Sequence, residues 1–185
     1  MARTESAMLE LGTQAPPFSL PDVRDGRKHS IESLRGPKGL LVMFICAHCP
    51  FVKHVEKELA RIGKDYEKSG VGIAAISSND AENYPDDAPP NLARQAKQLG
   101  FTFPYLYDES QDVARAYDAT CTPDFFLFDN AQKLVYRGQL DGSRPGNGVP
   151  VTGGDLRSAL DALVAGKSIS TDQYPSIGCN IKWKE

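Results

Sequence analysis

Three observations predict an α/β chain with a central mixed sheet flanked by helices, preceded by a β-hairpin and followed by an irregular tail. Residues 40–45 and 71–76 are short apolar runs without polar alternation, as expected of parallel strands covered on both faces. Each is followed by a stretch whose apolar positions step by threes and fours, the period of a helix lying on a sheet. Residues 124–128 and 134–139 flank a tight turn at Asp129-Asn130, which reverses the chain and makes the sheet mixed.

Each element follows from its residues. Residues 1–15 read as a loose leader. Residues 18–20 and 28–30 then flank the turn Asp25-Gly26, a short hairpin. After the first buried run, Phe51, Val52, Val55, Leu59, Ile62 and Tyr66 mark one stripe of a helix, with Pro50 in its first turn where the missing N–H costs little. Residues 80–90 are acidic and hold Pro85, Pro89 and Pro90, which predicts a surface loop. A second helix over 91–99 buries Leu92, Ala96 and Leu99. Residues 104–107 are extended, and 112–117 form a short helix. The glycine-rich stretch 142–154 lacks the Lys-Ser or Lys-Thr of a phosphate cradle and reads as a loop. Asp155 is placed to cap a last helix that Gly166 ends. Residues 167–185 have no helical period and form the tail.

The chain has 185 residues, which suits a single domain over 1–185 with residues 1–15 and 167–185 as extensions. The 21 lysines and arginines are scattered and the net charge is -3, so nucleic acid is not an expected partner. No segment has the apolar length of a membrane span or a signal core, so a cytoplasmic protein with no membrane partner is expected. Four cysteines in such a chain point to redox or metal chemistry rather than to a disulfide framework.

Cys46-Ala47-His48-Cys49 lies where the first buried strand gives way to the first long helix. A helix start offers unpaired N–H groups and partial positive charge, which favour thiolate over thiol. Cys46 is therefore expected to attack and Cys49 to resolve. His48 is the nearest group able to supply a proton, with an exposed loop residue as the alternative.

The element order and the dithiol after the first central strand resemble the thioredoxin fold. Residues 12–20 and 34–38, Cys46-Ala47-His48-Cys49-Pro50-Phe51-Val52-Lys53, Cys121-Thr122-Pro123-Asp124 and the tail 175–184 are similar to the redoxin branch of that superfamily, which includes the alkyl hydroperoxide reductase/thiol-specific antioxidant proteins. The resemblance implies a thiol-disulfide oxidoreductase that exchanges disulfides with a protein or small-molecule substrate and an external thiol reductant, without a cofactor. It also implies a cis Pro123 that presents backbone to the substrate. The alternatives are a thiol peroxidase and a redox-sensing or zinc-holding module.

The chain departs from the pattern in places. Leu40 stands where thioredoxin has a buried carboxylate, which moves proton supply toward His48. A histidine between the cysteines suggests a more oxidising couple than thioredoxin. Cys46 and Val42 occupy the Thr and Pro positions of the peroxidatic motif, and its arginine near Asp124 is missing. Cys121, close to Pro123, is either a third redox thiol or a small buried residue. Cys179 could pair with Cys121, or all four thiols could hold zinc. His54 is expected at the surface, and His29 as structural or exposed.

Overall fold

The computed structural model describes residues 3–185. Its main sheet has five strands: β4 (Gly39–Phe44), β5 (Val71–Ser77), β6 (Tyr105–Tyr107), β8 (Asp124–Asp129) and β9 (Leu134–Gly138). Their spatial order is β6-β5-β4-β8-β9. Strands β4, β5 and β6 run parallel, while β8 and β9 are antiparallel additions, so the sheet is mixed as predicted. Every residue of β4 is buried. The alternation of a strand sends Leu41 and Met43 into one apolar layer and Leu40, Val42 and Phe44 into the other.

The first layer is closed by α2 (Pro50–Asp65), α3 (Pro89–Leu99) and α5 (Gly154–Val164). Val52, Val55, Leu59 and Ile62 of α2 are buried, which is the stripe read from the sequence. The second layer is closed by α1 (Ile31–Leu34), α4 (Asp112–Ala116) and the hairpin of β2 (Ser19–Pro21) with β3 (Lys28–Ser30). Among the described residues no helix is long and apolar enough to cross a membrane.

Four expectations are corrected. The leader is not loose throughout: β1 (Arg3–Glu5) pairs with β10 (Ile177–Asn180), which pairs in turn with β7 (Cys121–Thr122). The tail is irregular only up to that strand, and four residues without helical period were too short a signal for it. The acidic segment 80–90 is not all surface, because Asp80 and Asp87 are buried and Pro85–Asp87 form a 3-10 turn. Asp155 is not the cap of α5. Gly153 holds that position in a left-handed conformation, and Asp155 accepts a hydrogen bond from Gln139 Nε2 at 2.6 Å instead.

Candidate active site

Strand β4 ends at Phe44 and α2 begins at Pro50, so the dithiol segment fills the gap between them. The N-cap of α2 is Cys49, with Pro50 at the first helical position and no side-chain hydrogen bond at the cap. The residue at the positive end of the helix is thus the second cysteine rather than the first. Cys46 and Cys49 are both fully buried and both free.

Thr122 touches both sulfurs. Its Oγ1 lies 3.5 Å from Cys46 Sγ, and its carbonyl lies 3.3 Å from Cys49 Sγ. The Thr122-Pro123 peptide bond is cis, as the resemblance implied. As a thiol, Cys49 has that carbonyl to donate to. As a thiolate it has more: first the Cys46 thiol, then the Cys179 thiol, the Thr122 hydroxyl and the Val52 N–H all donate to it. These donors outweigh burial, which opposes the charge, and draw Cys49 down to about 5. Burial, and then the Cys49 sulfur beside it, push the Cys46 thiol well above its ordinary range. The surroundings of the pair favour a thiolate on Cys49 over one on Cys46.

The buried carboxylate that Leu40 does not supply comes from the segment read as surface. Asp87 is fully buried and accepts from four donors: the backbone N–H of Ala47 at 2.8 Å, that of His48 at 3.0 Å, Asn79 Nδ2 at 2.8 Å, and His48 Nδ1. His48 is therefore not a free loop residue. Its ring stacks on Tyr84 with centroids 5.9 Å apart, and its Nε2 is buried without a partner. Cys46 Sγ, a ring nitrogen of His48 and an Asp87 oxygen lie within 4.8 Å of one another. Gln95 of α3 completes the frame: its Nε2 donates to the Cys46 carbonyl at 3.2 Å, and its own carbonyl accepts from Tyr105 OH at 3.0 Å. Neither Asp87 nor Gln95 carries a sequence signal, because each acts from a separate element through backbone and ring contacts.

Cys121 is a buried residue of the surround. Its sulfur donates to the Pro123 carbonyl at 3.7 Å, and burial, followed by the charge of Asp124, raises it far above the usual thiol range. Register rules out the Cys121–Cys179 pairing: Cys179 faces Thr122, so its side chain leaves the opposite side of the small sheet from that of Cys121. The same register separates the four thiols that a zinc site would need. Among the described residues the cluster with metal-ligand spacing is Cys46, His48 and Asp87, and there four N–H donors occupy the carboxylate. His54 is half-buried, its Nε2 2.7 Å from Ser143 Oγ, and His29 lies 3.8 Å from Asp22. The backbone edge that Pro123 was expected to present is already occupied. Strand β10 pairs with Cys121–Thr122, and Ser176 Oγ donates to the Pro123 carbonyl at 2.5 Å.

A polar groove of about 390 Å³ runs beside the dithiol, lined by Ala47, His48, Lys53, Glu56 and Arg94.

Comparison with known proteins places the chain among its relatives. The chain is 31% identical over 134 residues to the thiol-disulfide oxidoreductase ResA of Geobacillus thermodenitrificans, covering 71% of this chain and 70% of that one. Among solved structures, a conserved protein of Geobacillus kaustophilus described as uncharacterized superposes with a TM-score of 0.98 at 57% identity, over 100% of this chain and 97% of that one. A hypothetical protein of Sinorhizobium meliloti 1021 gives 0.95 at 48% identity, over 98% of each chain. Residues 11–137, which hold the dithiol, Thr122 and Pro123, match the AhpC/TSA family. The chain therefore belongs to the AhpC/TSA family, in the redoxin branch of the thioredoxin-like superfamily, and is a thiol-disulfide oxidoreductase.

Proposed function

We propose that Cys49 is the attacking thiolate and Cys46 the resolving thiol, the reverse of the order the sequence suggested. The observation that carries this is the position of Cys49 at the N-cap of α2, with donors converging on its sulfur while Cys46 stays protonated. Cys49 opens the substrate disulfide, one half leaves as thiolate, and the other half stays as a mixed disulfide. Cys46 then gives its proton to His48, attacks Cys49 Sγ and expels the second half, leaving a Cys46–Cys49 disulfide for an external thiol to reduce. Asp87 acts as a positioning residue that holds the His48 ring and the two N–H groups of the dithiol segment in place.

The polar groove with Lys53, Arg94 and Glu56 favours a small charged disulfide over an extended peptide, since the sheet edge beside Pro123 is closed by β10. Four cysteines in a chain of this size suit redox chemistry in a reducing compartment, which supports a cytoplasmic location as part of this proposal.

The test is a pre-steady-state reaction with an aromatic disulfide that releases a coloured thiol. Cys46→Ser is expected to keep the first burst of release and Cys49→Ser to lose it. A burst that survives in Cys49→Ser and vanishes in Cys46→Ser would overturn the order.

One feature also favours peroxide as a second oxidant: Cys49-Pro50 at a helix start, with a stabilised thiolate, is the cysteine arrangement of a peroxidatic site. Thiol loss to hydrogen peroxide beginning at Cys49 and far faster than free cysteine would support it, and a rate like that of free cysteine would remove it.

A further inference from the structure

We propose that Cys179 is a third redox thiol, a built-in substrate cysteine that takes over from Cys46 the disulfide bond to Cys49. This rests on Cys49 being the nucleophile. Strand β10 runs antiparallel to β7 and sets Cys179 directly opposite Thr122, the residue whose carbonyl is 3.3 Å from Cys49 Sγ. Strand alternation turns the Cys179 side chain to the face that carries the Thr122 hydroxyl, 3.5 Å from Cys46 Sγ, and the Cys49 sulfur is the neighbour that, after burial, raises the Cys179 thiol. Cys46, Cys49 and Cys179 lie in one apolar cluster.

Gly178 makes this approach possible. A Cβ there would sit 1.9 Å from the Thr122 carbonyl oxygen and 3.2 Å from Pro123 N, so any side chain would push β10 away from the site. The tail is thus held at the edge where a substrate strand would add, with its cysteine against the nucleophile.

The exchange is an isomerisation. Starting from the Cys46–Cys49 disulfide, the Cys179 sulfur attacks Cys49 Sγ. The Cys49–Cys179 bond forms as the Cys46–Cys49 bond breaks, the electron pair leaves on Cys46, and the proton lost by Cys179 is taken up by Cys46. The protein stays oxidised by two electrons, and no other oxidant is consumed. Burial and then the Cys49 sulfur hold the Cys179 thiol up at about 12. Once Cys49 is in a disulfide its charge is gone, and the second of these causes is lifted while burial remains.

The test oxidises reduced wild-type protein and Cys46→Ser with glutathione disulfide, quenches in acid, alkylates the free thiols and maps the linkages by mass spectrometry. The expected result is an intramolecular Cys49–Cys179 disulfide as the main product in Cys46→Ser, and both Cys46–Cys49 and Cys49–Cys179 in the wild type. Cys46→Ser that accumulates a Cys49–glutathione disulfide with Cys179 alkylated would overturn the proposal while leaving Cys49 as the nucleophile. Glutathione on neither Cys49 nor a Cys49 disulfide would overturn the order of attack itself. Wild-type protein containing only Cys46–Cys49 at every quench time would also overturn the relay, whatever the fold of the variant.

Discussion

Asp87 and His48 form a closed unit: the carboxylate takes the ring Nδ1–H and, through its other oxygen, the backbone N–H groups of Ala47 and His48. A single buried side chain therefore sets both the histidine and the path of the dithiol segment.

Removing it should cost heavily. Asp87→Ala leaves several buried donors without an acceptor, and each such loss costs about 1–3 kcal/mol, so a drop of about 3 kcal/mol in denaturant-derived stability is expected. Asp87→Asn keeps the volume but offers an NH2 group to donors. It should slow the resolving step at least tenfold and shift its pH profile, while the first burst of thiol release changes little. An unchanged pH profile would mean that Asp87 only supports the fold.

Asp124 gives a pH signature of its own. Burial drives its carboxyl up to about 7, with Ser6 Oγ donating to one oxygen at 2.8 Å and the other oxygen unpartnered. The folded chain then holds a proton that the unfolded chain releases near 3.8. Stability from this group is full below pH 3.8, declines as pH rises toward 7, and is flat above. Asp124→Asn should abolish that decline, seen as melting temperature against pH for both proteins in the oxidised form.

The reduced protein should show the opposite slope from Cys49. A thiol lowered from 9.0 to about 5 contributes stability that is present above its unfolded value and is lost as pH falls through the folded one. Reduced-minus-oxidised stability should rise with pH between these values, and ultraviolet thiolate absorbance at neutral pH should disappear in Cys49→Ser. A thiolate signal that survives in Cys49→Ser would assign the charge to another sulfur.

A stabilised thiolate also favours the reduced state, so the couple should be more oxidising than thioredoxin, above roughly -270 mV. Equilibration with glutathione buffers measures it, and a potential at or below thioredoxin's would contradict the charge assigned to Cys49.

Gly178→Ala should unseat β10, because the added methyl meets the Thr122 carbonyl oxygen at 1.9 Å. Cys49 in this variant should alkylate at least tenfold faster, and peptide disulfides should gain more in rate than small ones. Equal gains for both would show that the tail does not select between substrates.

Much of this molecule was legible in its sequence, for identifiable reasons. The stripe of α2 and the doubly buried β4 could be read because one repeats every third or fourth residue and the other excludes polar residues altogether. Cys46, Cys49, His48 and Pro123 stood out because their chemistry is rare and their spacing short. Asp87 was hidden among acidic residues and prolines that speak for a loop, and its burial depends on N–H groups some forty positions earlier in the chain. Strand β10 is four residues long, and its partners lie at residues 3–5 and 121–122, so no local period announces it. The start of α2 at Pro50 was read correctly, and the exchange of roles proposed for Cys46 and Cys49 rests instead on Thr122 and Cys179, which reach the dithiol from distant strands and leave no local pattern.

Three thiols sit in the same apolar cluster as Leu41, Met43, Ile45, Val52 and Leu59. In the cycle linking folding to reduction, the difference in folding free energy between oxidised and reduced protein equals the difference in reduction potential between the folded and the unfolded dithiol. About 30 mV corresponds to about 1.4 kcal/mol for this two-electron couple. Any side chain that packs better against a disulfide than against two thiols therefore shifts the potential without touching substrate. In this protein, core volume and electron affinity are tuned by the same residues.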